Sequence, residues 1–568
     1  MGEGSKLRRT FDDMVAGRLN PRYAWIVLAA AMVVSAAYCL YMTRGSTFTG
    51  DEYAWVAFSP FQDFRVSIEP HSGHLIFTTL WLYKAILNTI GTDYLTFRLL
   101  TLGTVFLAVG LLFIWTRRRV GSWVALAPCL VLLFFGSDAG NLLQGIGFTI
   151  MLAVSLGMLA LVALDRADRR GDIVACAALT LGVVSFTLIL PFVAGAAVAI
   201  LISKERWRRI WIVAIPIAIY LAWRVWLLVE NIEVPNGSAH LSNVLLMPSW
   251  TFQSLAGILS ALTGFNYNFE TGSWLAPGEM AGPALALGFL VLVGWRIRTG
   301  TMKSWFWVAV TVMLALFASQ VLGWIPAVRT PATSRYLYPG AFVVILVLAE
   351  AFRGYRFSRT SFTALWLVAF CAFATNVAFV KDSGRALRDR TPAVSMEVTA
   401  SALVNSAYPY LPGEDAQPLV DLVSDPGVSV TDQAQRDYGG LAMSEADLIA
   451  QPDLAARADA ILAGAFGTAL VPDKAGSFCQ FRPTEKAGPN GKVETTLAPG
   501  GAVLSSQTAG KVSLRRFGQS FSVPVGQLTP GKKMLLYIPA DDSDVPWRLS
   551  ASVPSLDVCD VLSRPDEG

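Results

Sequence analysis

Two adjacent acids and two of the three histidines fall in one short part of the chain. Asp51 and Glu52 stand together in Thr47–Phe48–Thr49–Gly50–Asp51–Glu52–Tyr53–Ala54–Trp55, a few residues past the first apolar block. Glu69–Pro70–His71–Ser72–Gly73–His74 follows, and His240 is the only other histidine. Tyr53, Trp55, Phe58, Phe61 and Phe64 would hold this loop at a membrane interface. Cations fall near the ends of apolar blocks at Arg98, Arg224 and Arg335, the last followed by Tyr336, and on a shorter apolar stretch at Lys84. Ionisable groups at membrane depth are costly and tend to be functional. Guanidinium groups match phosphate oxygens with paired hydrogen bonds.

One reaction class needs this combination. Transfer of a sugar from a polyprenyl phosphate has a leaving group already stable as an anion, so it needs cations on the phosphate and no general acid. It needs one carboxylate to take the proton of the attacking hydroxyl. Its transition state resembles an oxocarbenium ion, which carboxylates also stabilise. The plainer readings are a solvated loop for the acidic pair and interfacial snorkelling for each arginine. Asp51, Glu69, His71 and His74 could also surround a divalent ion: Mg or Mn for an oxygen set, Zn for a mixed one. The spacing of His71 and His74 would place both on one face of a helical start.

The elements that must position these groups are mostly apolar. The 568 residues are 54% hydrophobic and 15% charged, against about 25% charged in soluble domains. A net charge of +4 is too small to argue for nucleic acid. The pattern predicts a polytopic α-helical membrane protein with about eleven spans, several of them short for a hydrocarbon layer of about 30 Å: 23–43, 94–115, 122–136, 145–164, 172–187, 188–203, 209–228, 281–297, 304–324, 338–352 and 361–380. Lys6, Arg8, Arg9, Arg18 and Arg22 precede the first span, which predicts a cytoplasmic N-terminal segment over 1–22 and a retained first span. Alternate loops then carry Arg117–Arg119, Arg166, Arg169 and Arg170, Lys204 to Arg209, Arg296 to Lys303, and Arg353 to Arg359, all on the cytoplasmic side. The first outer loop is 44–93. Two stretches, Leu75–Ile90 and Thr251–Phe265, are expected to lie along the outer surface as interfacial helices.

Residues 381–568 have a soluble composition and an extracytoplasmic place in this scheme. Their second half predicts short strands at Val493–Leu497, Val503–Gln507, Lys511–Phe517, Ser520–Val525, Met534–Ile538 and Arg548–Val553, which suggests a β-sandwich-like domain. Cys39, Cys129, Cys176 and Cys371 lie in apolar blocks and read as buried hydrophobes. Cys479 and Cys559 read as a disulfide pair in an oxidising compartment.

The arrangement resembles the GT-C superfamily of integral membrane glycosyltransferases. The resemblance spans roughly residues 20–380. It rests on the N-in first span, the Gly50–Asp51–Glu52 pair in the first outer loop, the Glu69–His74 segment, Phe97–Arg98–Leu99, the basic Arg117–Arg119 end and Ser334–Arg335–Tyr336. It implies inverting transfer from a polyprenyl-phosphate sugar donor to an extracytoplasmic polysaccharide, glycolipid or protein. Asp51 would be the general base, with Glu52 placing it or holding a metal. Glu69, His71, His74, Lys84, Arg98, Arg335 and Tyr336 would bind substrate. His71–Ser72–Gly73–His74 stands where aminoarabinose and protein-mannosyl branches carry a Lys/His-Pro-Pro segment. The implied location is a bacterial plasma membrane. The competing classes are a lipid-linked sugar transporter or flippase, and a non-catalytic envelope-assembly protein. No inverted repeat is visible for the former.

Overall fold

The computed structural model describes residues 13–15, 19–232, 234, 240–265, 277–300, 302–324, 330–331, 333–408, 428–474 and 476–561. Lys6, Arg8, Arg9 and Arg18 lie outside them. The chain forms two compact units. The first comprises 1–46, 62–83 and 94–388; the second comprises 47–61, 84–93 and 389–568. The first outer loop is thus divided between them.

The first unit is a helical bundle. Its helices are α1 (Pro21–Met42), α3 (Phe64–Ile68), α5 (Tyr94–Val120), α6 (Ser122–Leu132), α7 (Ala139–Leu143), α8 (Gly147–Leu164), α9 (Arg169–Val183), α10 (Leu190–Ile202), α11 (Trp211–Val229), α12 (Met247–Thr263), α13 (Pro277–Thr299), α14 (Ser304–Leu322), α15 (Ser334–Ala351) and most of α16 (Arg359–Ala407). Two helices omitted from that series are α2 (Asp51–Phe58), in the second unit, and α4 (Phe77–Thr89), which runs from one unit into the other. Among the described residues, nine helices are long and apolar enough to cross a membrane, and ten if one bent pair counts as a span.

The differences from the expected eleven have local causes. The stretch 122–136 is not a straight span: α6 stops at Leu132, and the chain resumes at Gly136–Leu143 with a bend of 42°. The α9 helix has 15 residues and the apolar stretch Thr187–Ile202 is likewise short, so neither passes as a full span. The stretch Thr251–Phe265 is not a surface helix. It belongs to α12, whose residues 254–261 are all buried against α13, α14 and α15. Ser254, Ala256, Gly257, Ser260 and Ala261 explain this, because small side chains let helices approach closely in a membrane setting. Gly340 of α15 faces Ile258 with no room for a Cβ. By contrast α4, with 13 residues and about 20 Å of length, is too short to cross. The α16 helix does not stop at 380 but continues to Ala407. Cys39, Cys129 and Cys176 are buried as expected; Cys371 is exposed, on the outward face of α16.

One end of the bundle is closed by ion pairs. Arg119 Nε donates to Glu350 Oε1 at 2.7 Å and its Nη2 to Asp165 at 2.9 Å, with the guanidinium stacked 3.7 Å over the Trp115 ring. Arg118 joins the same Asp165 at 3.1 Å.

The second unit carries α17 (Val428–Tyr438), α18 (Pro452–Ala465) and ten strands. These are β1 (Leu470–Pro472), β2 (Cys479–Phe481), β3 (Glu485–Lys486), β4 (Val493–Thr496), β5 (Ala502–Ser505), β6 (Gly510–Arg515), β7 (Val523–Leu528), β8 (Met534–Leu536), β9 (Arg548–Ala551) and β10 (Ser555–Val561). One sheet runs β1-β8-β5-β10-β2 with β3 also on β10, and the other runs β4-β9-β6-β7. All six strands expected between 493 and 553 form. Leu504, Leu514, Leu536, Leu549 and Val558 fill the core. Cys479 and Cys559 are joined in a disulfide between β2 and β10.

Candidate functional site

Asp51 and Glu52 open α2, and Gly50 makes that opening feasible. It is the N-cap residue at φ 59°, ψ −136°, a conformation glycine adopts without a Cβ clash. Acidic residues in a first helical turn also suit the helix dipole. The adjacent carboxylates point to opposite environments. Asp51 is exposed, whereas Glu52 is fully buried. Tyr53, Ala54, Trp55, Val56 and Ala57 are buried after it, so the rest of α2 anchors the turn that presents Asp51. The anchor is α17: Tyr438 Oη donates to Ser59 Oγ at 3.1 Å, and burial pushes the Tyr53 phenol well above its usual range. Thr92 Oγ1 adds a bond to the Gly439 carbonyl at 2.8 Å. Lys84, on α4, is half-buried.

The histidine segment belongs to the first unit and is a hairpin, not a helical start. His71 and His74 exchange backbone hydrogen bonds of 3.0 and 2.9 Å across Ser72 (φ 48°) and Gly73 (φ 86°). Two central residues at positive φ are the signature of a type I′ turn, and the Ser-Gly pair was the signal for it. Opposed residues of an antiparallel pair share a face, so the two imidazoles still leave on one side. His74 Nδ1 bonds Thr187 Oγ1, and its ring lies 4.3 Å from Phe186. Glu69 is exposed at the C-terminus of α3. The segment before it is fastened to α11, where Trp223 Nε1 donates to the Ile68 carbonyl at 2.8 Å and Arg65 pairs with Glu230 at 3.0 Å. Among the described residues, no three His, Cys, Asp or Glu side chains cluster as metal ligands would.

Arg98 and Arg335 are organised by the broken segment 136–143. Arg98, in the second turn of α5, is buried; its Nη1 donates to the Leu142 carbonyl at 3.3 Å and its Nε to Thr43 Oγ1 at 3.4 Å. Arg335 opens α15 with an exposed side chain, its guanidinium 5.5 Å from the Tyr336 ring. Its backbone carbonyl accepts Asn141 Nδ2 at 3.0 Å. Arg224 is half-buried on α11, 6.0 Å from the Trp223 ring.

Sequence reasoning missed the residues that hold this segment. Asp138 is fully buried and caps α7, accepting Asn141 Nδ2 at 2.7 Å; the same oxygen accepts the Tyr338 backbone N–H at 3.1 Å. Asn376 of α16, also fully buried, accepts both the backbone N–H and the hydroxyl of Ser137 at 2.9 Å and donates to the Ala261 carbonyl at 3.0 Å. Gly136 meets Asn376 so closely that a Cβ has no space. The available signal was Gly136–Ser137–Asp138–Ala139–Gly140–Asn141, a polar, cap-forming interruption of an apolar run.

Two solved structures are similar to the chain. ArnT from Cupriavidus metallidurans bound to undecaprenyl phosphate matches at 12% identity over 74% of this chain and 85% of that one, with a TM-score of 0.43. The apo state of the same protein matches at 13% identity over 73% and 85%, with a TM-score of 0.44. No protein-family model and no curated protein matches.

The predicted site residues therefore fall into two sets. Asp51, Glu52 and Lys84 are in the second unit, while Glu69, His71, His74, Arg98, Arg335 and Tyr336 are in the first. Within the first, residues 138–142 connect Arg98 with the start of α15 that bears Arg335.

Proposed function

We propose that the chain is an integral membrane glycosyltransferase that moves a sugar from a polyprenyl-phosphate donor to an extracytoplasmic acceptor, with inversion. The observation carrying this reading is the unequal placement of the acidic pair. An exposed Asp51 at the first turn of a well-anchored helix is free to accept a proton from an incoming hydroxyl. Glu52, buried one residue on, positions that turn. Arg335 is the cation offered to a phosphate, and Arg98 holds the frame around it. Glu69, His71, His74 and Tyr336 in the first unit, and Lys84 in the second, are the other residues we assign to substrate binding. The proposed setting is a bacterial plasma membrane, with the basic end of the bundle cytoplasmic. The acceptor is a wall polysaccharide, a glycolipid or a protein.

The test is transfer by purified protein from a labelled polyprenyl-phosphate sugar to cell-envelope acceptors, with Asp51→Asn alongside. Transfer by the wild type and its loss in the variant is the expected result. Full transfer by Asp51→Asn removes the base assignment, and vesicle transport without transfer removes the enzyme reading.

A further inference from the structure

The ion-paired end of the bundle contains a cavity that the proposed transferase chemistry does not use. It opens between the turn joining α8 to α9 and the turn joining α10 to α11, and it measures about 730 Å³. Sites for small molecules run from about 300 to 1,000 Å³. Its charged lining is Asp168, Arg169, Asp172, Lys204, Glu205, Arg208 and Arg209.

These charges are unequally occupied. Asp172 is held by Arg209 through both carboxylate oxygens, at 3.2 and 3.0 Å from Nε, and a further bond comes from Nη2. Asp168 caps α9 through the Gly171 N–H at 2.6 Å and pairs with Arg166 at 2.9 Å. The Arg166 guanidinium holds its carboxyl below the usual range. Arg169, Lys204 and Arg208 are exposed and make no ion pair among the described residues, so three available cations face the one available carboxylate of Glu205. Exposed apolar residues adjoin the cavity in the chain: Ile173 is in the lining, and Leu201, Ile202 and Trp207, the last at 75% exposure, flank the lining residues 203–205 and 208 to form its apolar rim in sequence. Exposed tryptophan beside aliphatic side chains belongs at the boundary between headgroups and hydrocarbon.

We infer that this cavity binds the phosphate headgroup of an anionic membrane lipid, whose chains lie along the apolar rim. The cations supply the attraction, and the adjoining α9 and α11 surfaces supply the hydrocarbon contact. The chemistry recognised is a phosphate ester, and a free phosphate-bearing solute is the other source to be distinguished.

The experiment is native mass spectrometry of the full chain released from micelles containing phosphatidylglycerol or phosphatidylcholine. The triple variant Arg169→Gln/Lys204→Gln/Arg208→Gln is compared with Arg170→Gln/Arg206→Gln, which removes exposed cations outside the lining. Selective retention of phosphatidylglycerol is expected in the wild type and the control. Each surface cation is worth roughly fivefold in binding, so the triple variant should weaken it on the order of a hundredfold. An unchanged thermal midpoint in the triple variant separates this loss from unfolding. Equal retention by all three proteins, or equal loss in the control, overturns the proposal. Abolition of retention by millimolar inorganic phosphate overturns the lipid source. The readout is independent of sugar transfer, so its failure leaves the transferase reading intact.

Discussion

Asp138 and Tyr338, 200 positions apart, are joined by a hydrogen bond of 3.1 Å from the Tyr338 backbone N–H to the Asp138 carboxylate. The same oxygen holds Asn141 Nδ2 at 2.7 Å. One carboxylate therefore caps α7 and docks the first turns of α15, the helix that opens with Arg335. Removing it would take the acceptor from three buried donors, the Asn141 backbone N–H, Asn141 Nδ2 and the Tyr338 N–H, at about 1–3 kcal/mol for each one left unsatisfied. Asp138→Ala is expected to lower the thermal midpoint clearly in detergent, with Asp138→Asn intermediate. A midpoint for Asp138→Ala equal to the wild type would contradict the capping role.

The two residues of the acidic pair should separate when mutated singly. Asp51 is exposed, so Asp51→Asn should leave folding intact and lower transfer by about 10²–10⁴-fold, the range for a lost general base. Glu52 is buried, so Glu52→Ala should lower stability as well as rate. Paired measurements of turnover and thermal midpoint decide the point. Loss of stability in Asp51→Asn would reverse the assignment of roles.

Arg119 and Glu350, 231 positions apart, form a buried pair at 2.7 Å, both side chains almost fully inaccessible. Removing one partner of such a pair costs about 3–5 kcal/mol, whereas replacing both with apolar residues is often far milder. Glu350→Leu alone should therefore be more damaging than Arg119→Met/Glu350→Leu. Chemical or thermal unfolding of the three proteins checks the order. Asp165 remains beside Arg119 in the single variant and should soften, not abolish, the loss.

In the second unit, Asp459 accepts the backbone N–H groups of Arg516, Phe517 and Gly518 at 2.9, 2.8 and 2.9 Å. Burial nonetheless pushes its carboxyl above the usual range, outweighing those donors. A carboxyl whose folded value is raised holds its proton more tightly in the fold than in the unfolded chain. Its stabilisation is complete below the unfolded value and is lost as pH rises through the raised one. Amide exchange at Phe517 and Gly518 should accordingly become less protected over that acid interval, and Asp459→Asn should flatten the dependence. A variant profile as steep as the wild type would assign the effect elsewhere.

Strong periodicities were legible in the sequence. Alternation between Val493 and Val553 located six strands, and two cysteines in a soluble segment located the disulfide. Residues whose meaning depends on a distant partner were not. The polar positions Ser254 and Ser260 made α12 look interfacial, but small size, not polarity, decides their place, and that requires α13 to α15. Asp138 falls between the expected spans 122–136 and 145–164, and Tyr338 and Asn141 supply the reason for its burial. His71 and His74 were misread for a local cause: the positive φ of Ser72 and Gly73 turned a helical spacing into a hairpin.

The position of β10 bears on biogenesis. It lies between β5 and β2 and also pairs with β3, yet it is synthesised after all of them. Until residues 555–561 have been made, β5 keeps an open edge and Cys479 has no partner thiol. The larger sheet therefore closes only once its last-made strand is available. A nascent chain arrested before Ser555 would display an unpaired strand edge and a free thiol, two marks that tell an unfinished copy from a finished one.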